Sequence, residues 1–327
     1  MFNGIRVARA LSAFDHATGR WAAIPLRDSY DSVTQTPSSS RLADASAVDK
    51  QALSLVSWNI QASKFMRDTR CELILDHVLQ KPKSPDIIFL QEVSFIARKS
   101  ILDNPRVRSS FLTSDAEDDT SFKGVPFRVA TMTLLSRKRF GSPLLAGRKE
   151  KGEGEGGSKM VLDSVFRKEL PSRSGRDSFC VSFANPAVPG QVFRLFNVHL
   201  DSVESPFRRV LQMMELAGLL REPGCSGGII AGDFNAFTPE DHALVDEHKL
   251  VDAWVALHGS ATGPEGGDTW GHWGVGVHLD ERLKPARLDK VVMLGLQPDE
   301  IEVLRPGIID GHTPWSDHCG LCCTFTI

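Results

Sequence analysis

Acidic, amide and histidine side chains recur at the ends of the predicted strands of this 327-residue chain. The strand-like run Leu53–Trp58 is followed by Asn59, and the run Val192–Val198 is followed by His199. If neighbouring strands run antiparallel, strand ends and strand beginnings meet at one rim. The residues expected at this rim are Asn59, Glu92, His199, Asp233, Asn235, Asp289, Asp317 and His318. Carboxylates and imidazoles brought together in this way can bind a cation and transfer protons.

Each of these residues also has an ordinary structural explanation when it is taken alone. Asn59 or Asn235 could close a turn, because asparagine tolerates turn conformations. Asp233 could cap an element, and His199 could be a core histidine bonded to a backbone carbonyl. Independent explanations of this kind do not predict one shared rim, so the combination favours a common site.

Short apolar runs alternate with amphipathic ones from Leu53 onward, which predicts a fold of mixed strands and helices. The predicted strands are rich in β-branched and aromatic residues. They are Leu53–Trp58, Ile87–Leu90, Val129–Leu135, Ser178–Phe183, Val192–Val198, Gly228–Ala231, Leu288–Leu294 and Cys319–Ile327.

Three helices are predicted from capping signals and helical spacing. They cover Cys71–Leu79, the segment from Pro206 to Leu220 with Ser205 as its N-cap, and the segment from Thr238 to about His248. In the second of them, apolar side chains recur every three or four residues and predict the buried face. This stripe comprises Phe207, Val210, Leu211, Met214, Ala217 and either Leu219 or Leu220.

The composition changes near residue 50, and this divides the chain in two. Residues 30–50 are rich in Ser, Thr, Asp and Ala, so residues 1–50 are predicted to form a flexible leader and residues 51–327 one domain. The run Gly147–Lys159 has no apolar residue and is interpreted as a mobile loop inside that domain.

Overall charge and hydropathy exclude some classes of protein. The net charge of −3 argues against a polybasic binder of the histone type, although a local basic cleft remains compatible with it. No apolar run approaches the roughly 20 residues of a membrane span, so no membrane association is expected. Six cysteines and no secretory signal favour reduced thiols and a nuclear or cytoplasmic location, with weak signs of a mitochondrial presequence before Phe14.

The rim residues lie in short motifs that together resemble the endonuclease/exonuclease/phosphatase superfamily. The motifs, which occur in the order of that superfamily, are Ser57-Trp58-Asn59, Leu90-Gln91-Glu92-Val93, Asn197-Val198-His199-Leu200, Gly232-Asp233-Phe234-Asn235, Leu288-Asp289-Lys290 and Ser316-Asp317-His318. The resemblance covers about residues 53–327 and implies a single catalytic domain. The implied fold is a four-layer α/β/β/α sandwich, with two mostly antiparallel sheets and outer helices.

The resemblance also implies roles in metal-assisted hydrolysis of a phosphodiester. Glu92 would bind Mg²⁺, for which Mn²⁺ can substitute, and Asp233 would orient and deprotonate the attacking water. His318, with Asp289 behind it, would donate to the phosphoryl group. The implied catalytic residues are Asp233, Asn235, His318, Asp289 and His199; the substrate-binding residues are Asn59, Ser202 and Trp270; and the metal-site residues are Glu92, Asn59 and Asp317.

Within the superfamily, the sequence most resembles the type-2 tyrosyl-DNA phosphodiesterases. His199-Leu200-Asp201-Ser202 is similar to their HLES motif, and Thr269-Trp270 is similar to their TWD motif. The resemblance implies a DNA-repair enzyme that cuts 5′-phosphotyrosyl bonds at DNA ends carrying a tyrosyl peptide, and we expect a monomer. Trp270 would stack on the first nucleotide. The chain differs from that subfamily at Gln61, where an Asp is usual, and at Ala236-Phe237, where an Arg is expected.

Two alternative functions remain open from the sequence. One is another phosphoesterase on the same scaffold, such as an abasic-site endonuclease, a deadenylase or an inositol or lipid phosphatase. The other is an inactive nucleic-acid-binding module, against which the presence of Glu92, Asp233, Asn235, Asp289 and His318 argues.

Overall fold

The chain folds into two 8-stranded sheets that carry helices. A computed structural model describes residues 4–26, 51–63, 65–80, 84–123, 129–142, 159–202, 205–259, 267–271 and 285–327. The strands are β1 (Arg6–Ala8), β2 (Leu11–Asp15), β3 (Arg20–Ala23), β4 (Ala52–Asn59), β5 (Ile87–Val93), β6 (Phe111–Ser114), β7 (Ala130–Ser136), β8 (Phe140–Gly141), β9 (Met160–Glu169), β10 (Asp177–Ala184), β11 (Val192–His199), β12 (Cys225–Asp233), β13 (Val251–Asp252), β14 (Asp289–Leu294), β15 (Pro298–Leu304) and β16 (Gly320–Thr326). The helices are α1 (Arg67–Leu79), α2 (Phe95–Asp103), α3 (Pro105–Ser110), α4 (Pro206–Leu219), α5 (Pro239–Glu247) and α6 (Ala253–His258).

Most strand pairs in both sheets are antiparallel. The first sheet has the order β1-β9-β10-β11-β12-β14-β13, with β8 beside β9, and the second has the order β15-β16-β4-β5-β7-β6-β2-β3. The parallel pairs are β4 with β5, β11 with β12 and β8 with β9. None of the helices in the described ranges is both long enough and apolar enough to cross a membrane.

Three apolar clusters define the layers. The largest lies between the sheets and includes Phe89 of β5 and Leu195 of β11. A second cluster joins the outer face of the second sheet to α1 and α2, and a third joins the outer face of the first sheet to α4 and α5. Because strands bury alternate side chains on their two faces, each sheet can serve two clusters at once. The predicted four-layer α/β/β/α sandwich is therefore confirmed.

Every strand predicted from the sequence is present, but the predicted leader is wrong where the structure describes it. Strand β1 pairs with β9 of the first sheet, and β2 pairs with β6 of the second. Leu11 in β2 is fully buried in the core between the sheets. Residues 4–26 are thus part of the domain. Residues 1–3 and 27–50 of the predicted leader, and residues 147–158 of the predicted loop, lie outside the described residues.

The apolar stripe predicted for α4 forms only part of its buried face: Ala217 and Leu219 are buried as predicted, but the first half of the stripe is not. Phe207 is 71% exposed and Met214 is 47% exposed. In place of these two residues, the helix buries Arg209 and Gln212, together with Met213 and Leu216. Arg209 can be buried because its guanidinium forms two hydrogen bonds, of 2.7 and 2.8 Å, with the carboxylate of Asp241.

The buried position of β2 makes a prediction about stability. Leu11→Ala should lower the free energy of unfolding by about 2–5 kcal/mol, because it removes buried methyl groups and leaves a cavity. Ile5→Ala is the control, since Ile5 is 60% exposed and should change stability little. Urea denaturation of both variants measures the effect. Equal stability of the Leu11 variant and the wild type would show that β2 contributes nothing to the core.

Candidate active site

The strand register brings the predicted rim residues together. In the parallel pair of β11 and β12, His199 lies opposite Asp233. In the antiparallel pair of β12 and β14, Asp233 at the end of one strand lies opposite Asp289 at the start of the other. Asn59 reaches the same place from β4 of the second sheet, where its amide Nδ2 lies 2.9 Å from Asp233 Oδ2. The predicted meeting of strand ends and strand beginnings is confirmed.

Asp233 lies at the centre of this group and is almost completely buried. Its Oδ1 accepts a hydrogen bond of 2.8 Å from the backbone N–H of Asn235. Nε2 of His199 lies 3.4 Å from Asp233 Oδ2, and Nε2 of His318 lies 3.8 Å from it. Burial raises the pKa of Asp233 to about 7; the charge of His318 opposes this shift and that of Asp289 adds to it. Its carboxyl group therefore titrates near neutral pH.

His318 and Asp289 form a buried pair. Nδ1 of His318 lies 2.8 Å from Asp289 Oδ2, and the backbone carbonyl of His318 accepts a hydrogen bond from the indole of Trp58. Burial alone would lower the pKa of His318, but Asp289 and Asp233 outweigh it and raise the pKa to about 10. The imidazole is therefore cationic at neutral pH and can donate from Nε2 toward a phosphoryl oxygen.

Thr269 orients this pair, a role that sequence analysis missed. Its buried Oγ1 accepts hydrogen bonds from the backbone N–H groups of Leu288 (3.1 Å) and Asp289 (3.0 Å). Its carbonyl accepts a third hydrogen bond, of 2.6 Å, from the N–H of Cys319. Thr269 therefore connects the segment before β14 to the segment before β16. Its position next to Trp270 was the available sequence signal.

Glu92 and Asp317 are the carboxylates best suited to hold a metal ion. Glu92 Oε2 accepts from the backbone N–H of Ala62 at 2.8 Å, and Oε1 lies 3.4 Å from the amide of Asn59. Burial raises the pKa of Asp317; the charge of His318 opposes this shift, and the charge of Glu92 adds to it. A divalent cation would relieve this repulsion between carboxylates, and hard oxygen donors suit Mg²⁺. Asn59, predicted as a metal-site residue, contacts Glu92 and also donates to Asp233 at 2.9 Å, and its role at a metal stays a prediction.

A second group of candidate ligands is already committed to another interaction. One ligand atom each from Asp233, Asp289 and His318 lies within 4.8 Å of the others. However, Nδ1 of His318 is engaged by Asp289, so its ring is held as a hydrogen-bonded pair. The metal role expected of Glu92 and Asp317 therefore stays a prediction, and this group does not replace it.

Arg176 is a second residue that sequence analysis missed. Its Nη2 lies 3.0 Å from Nε2 of His199. Burial, Arg176 and His318 together lower the pKa of His199 well below its usual value, so His199 is neutral. Arg176 therefore supplies a positive charge beside His199. It comes from a polar turn between β9 and β10, where the sequence carries no motif.

Trp270 lies at the rim beside Asp317. Its indole N–H donates a long hydrogen bond of 3.4 Å to Asp317 Oδ2, and the ring of Phe237 meets it edge-on at 5.8 Å. Gln61, which differs from the subfamily pattern, accepts a hydrogen bond from the backbone N–H of Asp317 through its Oε1 and also contacts the guanidinium of Arg70. Both departures from the subfamily thus lie against the site, Phe237 beside the predicted stacking residue and Gln61 beside the predicted metal ligand.

Ser202 is the predicted site residue for which the described contacts give no role in the site. It is exposed, and its backbone carbonyl accepts a hydrogen bond of 2.9 Å from Arg209. Its contact with a phosphate stays a prediction.

The rim of the β-sandwich holds a buried acid, a cationic histidine and the carboxylates of Glu92 and Asp317, and these groups fit phosphoester hydrolysis. The chain belongs to the endonuclease/exonuclease/phosphatase family, whose model matches residues 56–318. No curated protein matches the sequence.

Solved structures show the same fold in more specific relatives. The chain is similar to D. rerio TDP2 complexed with a single-strand DNA product (TM-score 0.61, 19% identity, covering 84% of this chain and 98% of that one). It is also similar to truncated Caenorhabditis elegans TDP2 (TM-score 0.60, 21% identity, 84% and 98% covered). A third similar structure is the catalytic domain of human Nocturnin with a bound sulfate anion (TM-score 0.54, 20% identity, covering 84% of this chain and 93% of that one).

The metal assignment predicts the effect of Glu92→Gln. The amide removes the charge of a metal ligand, so the affinity for Mg²⁺ and the turnover at limiting Mg²⁺ should both fall. We expect a loss of about tenfold to a hundredfold, the range typical of removing a residue that supports a metal ligand. Isothermal titration with Mg²⁺ and hydrolysis of bis(p-nitrophenyl) phosphate measure the two effects. Glu72→Gln on the exposed face of α1 is the control. Wild-type turnover of the Glu92 variant at limiting Mg²⁺ would refute the assignment.

The buried pair predicts the effect of Asp289→Asn. Removing the carboxylate takes away a charge that favours the imidazolium, so the pKa of His318 should fall below about 10. NMR titration of the His318 ring in the presence of EDTA measures this, with Asp310→Asn on an exposed loop as the control. The alkaline limb of the rate profile should move to lower pH. An unchanged His318 pKa would show that Asp289 does not hold the proton in place.

Proposed function

We propose that the protein is a Mg²⁺-dependent phosphodiesterase that acts on DNA ends in DNA repair, with 5′-phosphotyrosyl DNA as its preferred substrate. The observation that carries the substrate class is the position of Trp270, whose indole bonds Asp317 beside the metal site. A half-buried aromatic ring at this place offers a stacking surface for the terminal base of a single strand. Phe237, edge-on to the ring, supports its orientation.

The residues of the site support a hydrolytic mechanism at such an end. Asp233, with its pKa near 7, is placed to orient and deprotonate the attacking water. Asn235 is held beside it, since its amide donates to the carbonyl of Leu200. His318 donates to the phosphoryl group as negative charge develops, and Asp289 holds its ring in place. Mg²⁺ bound at Glu92 and Asp317 would supply Lewis-acid stabilisation of the phosphoryl oxygens.

The similarity to D. rerio TDP2, which was solved with a single-strand DNA product, supports a nucleic-acid substrate. We further propose that the protein acts as a monomer and that it works in the nucleus or cytoplasm. No disulfide joins the six cysteines, all of which lie in the described ranges, and this supports a reducing compartment. The partner of the site is then a DNA end, which can carry a covalently attached tyrosyl peptide.

A substrate panel tests the proposal. We expect 5′-phosphotyrosyl DNA with a single-stranded end to be cleaved with higher kcat/KM than abasic duplex DNA, poly(A) or an inositol polyphosphate, in Mg²⁺ and not in EDTA. Cleavage should weaken as salt rises, because phosphate contacts release counterions. If another member of the panel is the best substrate, the tyrosyl-DNA assignment fails and that phosphoesterase activity replaces it. No turnover even of bis(p-nitrophenyl) phosphate would favour an inactive binding module.

Trp270→Ala should weaken cleavage of the single-stranded end. Losing one stacked base costs about 1–3 kcal/mol, or roughly five-fold to more than a hundredfold in kcat/KM. Trp254→Ala is the matched control, because the ring of this tryptophan of α6 lies against His258, with 4.3 Å between the ring centroids, and its described contacts include no residue of the site. A silent Trp270 variant would remove the observation on which the substrate class rests.

A further inference from the structure

The turn between β9 and β10 reaches the candidate active site through Arg176. Its guanidinium Nη2 lies 3.0 Å from His199 Nε2. The residues that precede it, 172–175, are half-buried or exposed. Because exposed turns have little packing to hold them, the placement of Arg176 depends on specific hydrogen bonds.

Asp201 supplies the first of these hydrogen bonds. It is fully buried, two residues after His199. Its Oδ1 accepts from Ser172 Oγ at 2.5 Å, and its Oδ2 accepts from the backbone N–H of Arg173 at 2.8 Å. No cation of the described chain lies within ion-pair distance of this carboxylate. A buried carboxylate is costly without partners, so both of its oxygens are committed to the turn.

Ser172 carries this constraint on to Arg176. The Oγ atom that donates to Asp201 also accepts hydrogen bonds from the backbone N–H groups of Ser174 and Arg176, both at 3.0 Å. One hydroxyl therefore fixes the start and the end of the turn. The direction in which Arg176 leaves the backbone is set by this hydroxyl.

Helix α4 closes the arrangement from the other side. Gln212 Oε1 accepts from the backbone N–H of Asp201 at 3.0 Å, and Gln212 Nε2 donates to the carbonyl of Pro171 at 3.2 Å. Arg209 Nη1 donates to the carbonyl of Asp201 at 3.1 Å. Gln212 and Arg209 of α4 thus connect the turn to the segment after β11 through hydrogen bonds.

We propose that Asp201 is a positioning residue which, through Ser172, holds the guanidinium of Arg176 against His199 at the phosphate-binding side of the site. The inference rests on the proposed function in one respect, since it takes the ligand of this side to be a phosphodiester. A fixed guanidinium provides positive charge where a phosphoryl oxygen becomes more negative. Without the hydrogen bonds of Ser172, the long side chain of Arg176 would populate other rotamers.

A double-mutant cycle on Ser172→Ala and Arg176→Ala tests the proposal. Arg176→Ala should lower kcat/KM by about tenfold to a hundredfold, the size of a lost charge-assisted hydrogen bond. Ser172→Ala should produce most of the same loss, and the double variant should be no slower than Arg176→Ala alone. Ser172→Thr, which keeps the hydroxyl, should restore activity. Ser174→Ala is the control, because Ser174 is exposed and joins the turn through its backbone N–H.

The cycle is run on 5′-phosphotyrosyl DNA and on bis(p-nitrophenyl) phosphate, so that the two proposals fail separately. If only the aryl diester is cleaved, the proposed substrate is wrong while the cycle still decides the role of Ser172. Additive losses in the double variant would overturn the positioning role, because they would mean that Ser172 acts independently of Arg176. If Ser172→Ala does not fold, Asp201→Asn replaces it in the cycle.

Binding of inorganic phosphate, followed by calorimetry, gives the same cycle without turnover. Ser172→Ala and Arg176→Ala should weaken phosphate binding to a similar extent, and Ser174→Ala should leave it unchanged. Wild-type phosphate affinity in the Ser172 and Arg176 variants would overturn the proposal.

Discussion

The buried carboxylate of Asp233 is the constraint on which the rest of the site depends. A carboxylate removed from water is stable only with hydrogen bonds or opposite charge around it. Asp233 receives the amide of Asn59, the backbone N–H of Asn235 and the charge of His318. The bond with Asn59 joins the two sheets, because β4 and β12 belong to different ones. The carboxylate is therefore satisfied only when the whole sandwich is in register, so the fold and the chemistry share one requirement.

Close approach of two strands makes this register possible. Gly232, with a φ of +145°, precedes Asp233 in β12, and a Cβ atom there would lie 1.9 Å from the carbonyl oxygen of Val198. A side chain at this position would push β11 and β12 apart and move His199 away from Asp233. The glycine of the Gly-Asp-Phe-Asn motif is thus required by the backbone, while the acid that follows it is required by the chemistry.

The sequence was sufficient for the residues at strand ends, because strand periodicity and terminal polar residues are both local signals. Asn59, His199 and Asp233 could be placed together on that basis alone. Arg176 could not, since its partner His199 is reached through a turn whose shape depends on Asp201.

Tertiary contacts also explain where the sequence signals misled. The first half of the buried face of α4 was misassigned because Asp241, the partner of the buried Arg209, is far away in the sequence. Strands β1–β3 carry too few apolar residues to be recognised before their partners are known.

The pairing of β1 has a consequence for the order of folding. It is the first described strand along the chain, yet Arg6 pairs with Lys168 of β9. During synthesis, β1 cannot pair until the ribosome has produced β9, which ends at Glu169 of the 327-residue chain. Hairpins such as β9 with β10 can form as soon as their second strand is made. Strand β2, whose partner β6 emerges earlier, can dock first and keep β1 close to its destination. The amino-terminal strands are thus expected to join the sandwich in the reverse of their order in the chain.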